Sequence, residues 1–215
     1  MLDTLDPKLA EAVRSAGLPV VMINAWLETS NFNVVLQDNY LGGYLAARHL
    51  VETGAQRIAW INPLGAYCHS RERFAGAVAG LASYGQTFVP RYILDTGVDA
   101  MNPEHAARLL TLLRSEDRPD AALVFWRDIA RVVRHVANTA NVLIGPDLKI
   151  VGWMVDELFE REHVGLYEGL PVPPAITWKA RSMTQMALMR LSEIRADASG
   201  EFCRLLVPAR LRMPG

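Results

Sequence analysis

Four short stretches carry side chains whose types and spacing could do chemistry. Cys68, His69 and Ser70 stand together just before a helical pattern bearing Arg71 and Arg73, so a thiol or hydroxyl nucleophile with a histidine base is one reading. Side chains at adjacent positions diverge on a helix or strand, and no motif supplies an orienting acid, which argues against catalysis there. Trp126, Arg127 and Asp128 fall where a strand run gives way to a helical one, the edge at which open parallel sheets receive ligands. Trp153 closes KIVGW at the same edge; two indoles there either offer flat apolar faces to a ring or sugar, or plug the end of the sheet. In DNYLGGYLAARHL (residues 38–50), Gly42 and Gly43 occupy the first turn of a helix that follows a strand. Free N–H groups in such a turn favour an anion. The spacing fits neither glycine-rich nucleotide-binding pattern, and paired glycines also allow close packing of helix on strand.

The elements that must position these residues alternate. Strand runs LPVVMINA, VVLQ, RIAWIN, RYIL, AALVFW, KIVGW, AITW and RLLVPA begin at Leu18, Val34, Arg57, Arg91, Ala121, Lys149, Ala175 and Arg204. Helical patterns cover 7–16, 40–53, 70–83, 103–115, 128–140 and 180–195. This order predicts an α/β architecture of parallel strands with helices on both faces. Pro7 and Pro103 suit first helical turns, and Gly17, Gly54 and Gly85 suit left-handed helix ends. Pro171, Pro173 and Pro174 predict a stiff link into AITW and a crossing between lobes. Arg127, Arg131, Arg134 and His135 recur at helical spacing, which predicts a solvated basic face.

The 215 residues are 51% hydrophobic and 21% charged, enough to bury a core in one large domain or two smaller lobes. Lys and Arg number 22 against 23 Asp and Glu, so the basic excess that holds a nucleic-acid backbone is missing. Any contact with DNA falls to another segment. Cys68 and Cys203 are too few for a disulfide framework and lack the paired spacing of a zinc site, which points to a reducing compartment. The opening MLDTLDPKLAEAV is acidic and amphipathic rather than a basic-then-apolar leader, and no apolar run approaches the roughly 18 residues of a membrane span. A cytoplasmic protein with no membrane contact, no cofactor and no metal is expected.

In their order these stretches resemble the lactose and galactose repressor (LacI/GalR-type) family of bacterial transcription regulators, over nearly the whole chain. GLPVVMIN (17–24) is similar to the family's Ile-Pro-Val-Val strand. VVLQDNYLGGYLAARHLVETGAQRIAWI resembles its valine-rich strand, Asp-Asn, glycine pair, helix ending in His-Leu, then Gly and a strand. Arg73, Phe74, Ala75 and Gly76 stand for its Arg-Leu-Ala-Gly helix, and RPDAALVF for its Arg-Pro-Asp-Ala strand. GPDLKIVGW, AITWKARSMTQMALMRL and LLVPARL are similar to its later strands and helix.

The resemblance implies the type I fold of periplasmic sugar-binding proteins, with Rossmann-like parallel-sheet lobes, one complete and one partial. On that analogy the chain crosses between lobes at Asp38-Asn39. Residues 39–153 with 202–212 would form the complete C-terminal lobe, and 1–38 with 154–201 part of the N-terminal one. The family's helix-turn-helix and the opening elements of its first lobe have no counterpart. This implies a shortened product, a fragment or a chain that relies on a partner, with sheet edges and apolar surface uncovered. Arg73 keeps the family's ligand-contacting arginine, whose forked donors suit hydroxyls or a carboxylate. Tyr67 and His69 are weaker candidates in the loop before it; Trp126 or Trp153 would stack, and Arg127 and Asp128 discriminate. Two acids habitual in sugar-binding members are replaced here by Arg127 and Met154. That shifts the expected effector from a neutral sugar toward an anionic or aromatic molecule, although Asp128 and Asp156 could compensate.

The implied function is an effector-sensing domain that binds a sugar or other small metabolite between its lobes, pairs as a homodimer and reaches DNA only through a headpiece outside this chain. A solute-binding protein of a transport system, an enzyme centred on Cys68 and His69, and a degenerate interaction module are the alternatives.

Overall fold

The computed structural model describes residues 12, 15–24, 32–65, 68–97, 102–196 and 202–215. Tyr67 and most of the helical pattern expected over 7–16 lie outside them.

Two sheets organise the described residues. The larger has six strands in the order β4 (Ile93–Asp95), β3 (Ile58–Asn62), β5 (Ala121–Leu123), β6 (Lys149–Val155), β7 (Ala175–Trp178) and β9 (Arg210–Arg212). All pair in parallel except β9, which runs antiparallel to β7. The smaller has three parallel strands in the order β1 (Val21–Ile23), β2 (Asn33–Gln37) and β8 (Arg204–Val207).

Period-two alternation along the strands of the larger sheet feeds two cores. Ala59, Ile61, Ala122, Val124 and Ile150 face one side, where Leu109 and Leu113 of α3 (Pro103–Arg114) and Ile129, Val133 and Val136 of α4 (Arg127–Thr139) cover them. Ile58, Trp60, Leu123, Phe125, Val151 and Trp153 face the other, under Ala46, Ala47 and Leu50 of α1 (Asn39–Glu52) and Ala77 and Leu81 of α2 (Cys68–Ala82). Both faces are therefore buried, which explains why these strands read as continuous apolar runs. A third cluster of Val35, Val207, Met183 and Ala187 joins the smaller sheet to α5 (Ala180–Ala196).

The helix starts follow local chemistry. The Asp38 carboxylate accepts a hydrogen bond from Leu41 N at 2.9 Å and caps α1, and Asn102 caps α3 through Glu104 N at 2.8 Å, with Pro103 behind it. Glu157 reaches from another segment to accept from the N–H groups of Ala180 and Arg181, closing the start of α5. Gly54 and Gly85 take the positive φ angles of helix ends, +87° and +69°.

The paired glycines are explained by packing. A Cβ at Gly43 would collide with the Arg73 carbonyl oxygen, one at Gly76 with the Tyr40 carbonyl oxygen, and one at Gly42 with the Trp153 indole. α1 and α2 thus meet backbone to backbone, and the first turn of α1 rests on the edge of Trp153.

The partition of the chain differs from the expected one in two places. β7 pairs with β6 in the larger sheet, so residues 154–178 stay with it rather than joining the smaller lobe. β8 pairs with β2, so 204–207 belong to the smaller sheet and only β9 of the closing segment to the larger. The three prolines at 171, 173 and 174 accordingly lead back into the same sheet. Crossings fall at residue 38, at residue 179 and at 208–209. β9, the short helical turn Asp156–Leu158 and the π-helical segment Phe159–Val164 have no counterpart among the expected elements.

Candidate functional site

The carboxyl ends of β5, β6 and β7 open onto a cavity of about 250 Å³. Asn24, just past β1, and Gln37, the last residue of β2, close it from the smaller sheet. This is the crevice that parallel sheets leave beyond their strand ends, here bounded by two sheets.

Arg73 enters from the second turn of α2. It is only 5% exposed, its Nε donates to Asn39 Oδ1 at 2.9 Å, and its guanidinium carbon lies 4.1 Å from the centre of the Trp153 ring. A cation over an indole face in a partly desolvated site is held by the ring quadrupole. Asn39 also donates to Glu72 at 3.1 Å, and Glu72 pairs with Arg204 of β8. Arg73 is therefore tied through Asn39 and Glu72 to the other sheet.

Trp126 and Trp153 both line the cavity, and the His69 ring lies 5.5 Å from Trp126. Burial, helped by the positive charge of Arg73, lowers the His69 pKa from 6.5 to about 3, so its imidazole is neutral at physiological pH. Cys68 is shifted the other way: burial and the charge of Glu72 raise the thiol, the reverse of what an activated thiolate requires.

The His69 shift has a stability consequence. The unfolded imidazole binds its proton near 6.5 and the folded one near 3, so the unfolded state holds the extra proton between those values. Stability contributed here is full above pH 6.5 and is lost as pH falls toward 3. The melting temperature of a His69→Asn chain should consequently fall less steeply than that of the parent across this range in a thermal melt series; parallel curves would refute it.

Arg127 lines the cavity wall with its guanidinium on Glu162 at 2.9 Å. Asp128 does not join the site; it is exposed and pairs with Arg131 at 3.2 Å. Asp156 also points elsewhere, to Arg212 at 2.9 Å. Neither acid replaces those missing from positions 127 and 154. The basic face expected on α4 is only partly free in solvent, because Arg127 holds Glu162 and Arg134 bonds the Leu166 carbonyl.

Several residues of the site were not among the sequence candidates. Asn62 clips its frame: its amide donates to Leu123 O at 2.8 Å and accepts from Phe125 N at 2.6 Å, fixing the path of β5 into Trp126. Trp178, His163 and Tyr167 line the cavity with Gln37. The Tyr167 hydroxyl, the Trp153 indole N–H and the Gln37 carbonyl oxygen are buried without a hydrogen-bond partner among the described residues. Burial pushes the Tyr167 phenol above its usual range, and His163, lowered by burial, bonds the Pro173 carbonyl at 2.8 Å. Buried polar atoms left open in this way are costly unless something binds them.

Two parallel-sheet lobes, linked by three crossings among the described residues and with a cavity between them at the strand ends, define a two-lobed fold of the periplasmic-binding-protein type. The sequence matches the family model described as periplasmic binding protein-like domain over residues 47–211, and the chain belongs to that family. It is 26% identical over 155 residues to the HTH-type transcriptional repressor PurR of Photobacterium profundum, covering 71% of this chain and 46% of that protein. The chain thus spans less than half the length of this curated relative. Among solved structures it is similar to the cellobiose complex of the transcriptional regulator CelR, with a TM-score of 0.77 and 20% identity over 97% of this chain and 62% of the other. A ribose-bound LacI family regulator from Enterococcus faecium aligns with a TM-score of 0.73 and 19% identity, over 98% of this chain and 78% of that one. At such identities the structural likeness concerns the fold. No helix among the described residues is long and apolar enough to cross a membrane.

Proposed function

We propose that this chain is the effector-sensing domain of a LacI-type transcription regulator, binding a small molecule in the crevice between its two sheets. The observation that carries the reading is the cavity itself, lined from both sheets and containing a buried arginine over an indole. The repressor relative and the sugar-bound structures of the same fold support it. Ligand contacts fall to Arg73, Trp126, Trp153, His69 and Arg127; Asp128 plays no part, and Tyr67, which lies outside the described residues, is a further candidate. The ligand acts by favouring one relative placement of the lobes, in proportion to its differential affinity for the two states. The intact regulator works in the cytoplasm as a homodimer and touches DNA through a headpiece distinct from these residues, consistent with the formal charge of −1.

A thermal-shift screen of sugars, nucleobases and small acids tests this. A ligand at about 100 times its Kd should stabilise the fold by about 2.7 kcal/mol, which for a chain of this size raises the melting temperature by roughly 5–11 °C. The same ligand should change the emission of the cleft tryptophans. A ligand whose shift is equal in the parent, Arg73→Ala and Trp126→Ala chains binds elsewhere, and would overturn the reading.

A further inference from the structure

We propose that the cleft selects a planar aromatic monocarboxylate carrying a polar ring substituent, rather than a neutral sugar. This rests on the interlobe reading above and adds the chemical class of the ligand.

Size is the first argument. About 250 Å³ lies just under the range of roughly 300–1,000 Å³ typical of pockets for drug-sized molecules, and so fits one ring rather than two. The second is the character of the walls. Phe125, Trp126, Trp153 and Trp178 supply flat faces, and Val124, Ala130, Leu158 and Leu166 supply an apolar floor. Flat apolar walls of this kind favour the faces of a ring.

Charge is the third. Among the described residues the charged groups of the lining are Arg73, Arg127 and Glu162, and Arg127 holds Glu162 at 2.9 Å. Neither lining histidine adds to this, because burial holds both below their ordinary pKa, His69 at about 3. The lining is therefore net positive, and Arg73 brings to it a guanidinium whose fork matches a carboxylate. The fourth is a buried hydroxyl: Tyr167 is 1% exposed, and among the described residues its hydroxyl has no hydrogen-bond partner, which suits a polar substituent on the ring.

Isothermal titration calorimetry of the 215-residue chain with benzoate, para-hydroxybenzoate, benzamide and ribose tests the proposal. Both acids should bind, with para-hydroxybenzoate ahead and benzamide at least about tenfold weaker than benzoate, since a hydrogen bond to a charged partner is worth about 1.5–3 kcal/mol. Arg73→Gln should erase the preference for acid over amide. Tyr167→Phe, a nearly isosteric change that keeps the fold testable, should erase the preference for the hydroxylated acid. Ribose binding tighter than both acids, weakened by Trp126→Ala, would overturn the ligand class while leaving the cleft reading intact. Acid binding unaffected by either Arg73→Gln or Tyr167→Phe, or no acid binding at millimolar concentration, would overturn the proposal outright.

Discussion

Gly43→Ala is expected to lower stability by about 3 kcal/mol or more, a fall of roughly 6–12 °C in melting temperature for a chain of this length. The added methyl has nowhere to go. It would overlap the Arg73 carbonyl oxygen and press on the Ala77 amide, and both are helix backbone rather than flexible side chain. Relief requires α1 and α2 to separate, which breaks the reciprocal contact at Gly76 and pulls α2 away from the sheet. Because Arg73 rides on that turn, ligand affinity should fall with stability. Differential scanning calorimetry, with Gly165→Ala as a control at a glycine of helical conformation (φ −60°) whose Cβ meets nothing, checks the site-specific part: a Gly43→Ala melting point within about 2 °C of the parent (about 1 kcal/mol by the same conversion) would show that the helices are not packed this closely.

Asn62→Ala is the second large effect. The amide is 1% exposed and serves two backbone groups, the Leu123 carbonyl at 2.8 Å and the Phe125 N–H at 2.6 Å. Removing it strands both in the interior, at roughly 1–3 kcal/mol each, so a loss of about 3 kcal/mol is expected. The loss should be local as well as global, because Phe125 leads directly into Trp126. Hydrogen exchange at Phe125 and Trp126 should accelerate beyond the change seen in α3, whereas uniform acceleration would make Asn62 an ordinary core residue.

The alternation of strands and helices is legible because both faces of the larger sheet are buried. Ile58 and Trp60 serve one core, Ala59 and Ile61 the other, and the run therefore reads as unbroken apolar sequence. The partition between lobes is not legible, since β7 and β8 have similar apolar composition and nothing local says which sheet each will join. Their partners, β6 and β2, are fixed by tertiary contact. β9 is Arg-Leu-Arg, too short and too charged to signal a strand. In the site, Arg73 is readable from a motif and Trp126 and Trp153 from their place at strand ends. Arg127 and Asp128 are neighbours on α4, set about 100° apart around its axis, so only one of them can face the cavity. Gln37 and Asn62 are single polar residues closing apolar strands, a signal that their burial at 1% explains only once the fold is known. His163 and Tyr167 come from or follow the π-helical segment FEREHV, whose polar pattern matches neither the helical nor the strand period.

Three crossings among the described residues, at residue 38, residue 179 and residues 208–209, join the two sheets like straps between plates. One such strap would leave the plates free to turn about it; three hold them together at three points of the chain. An object seated in the crevice therefore touches both of the bodies that those straps connect.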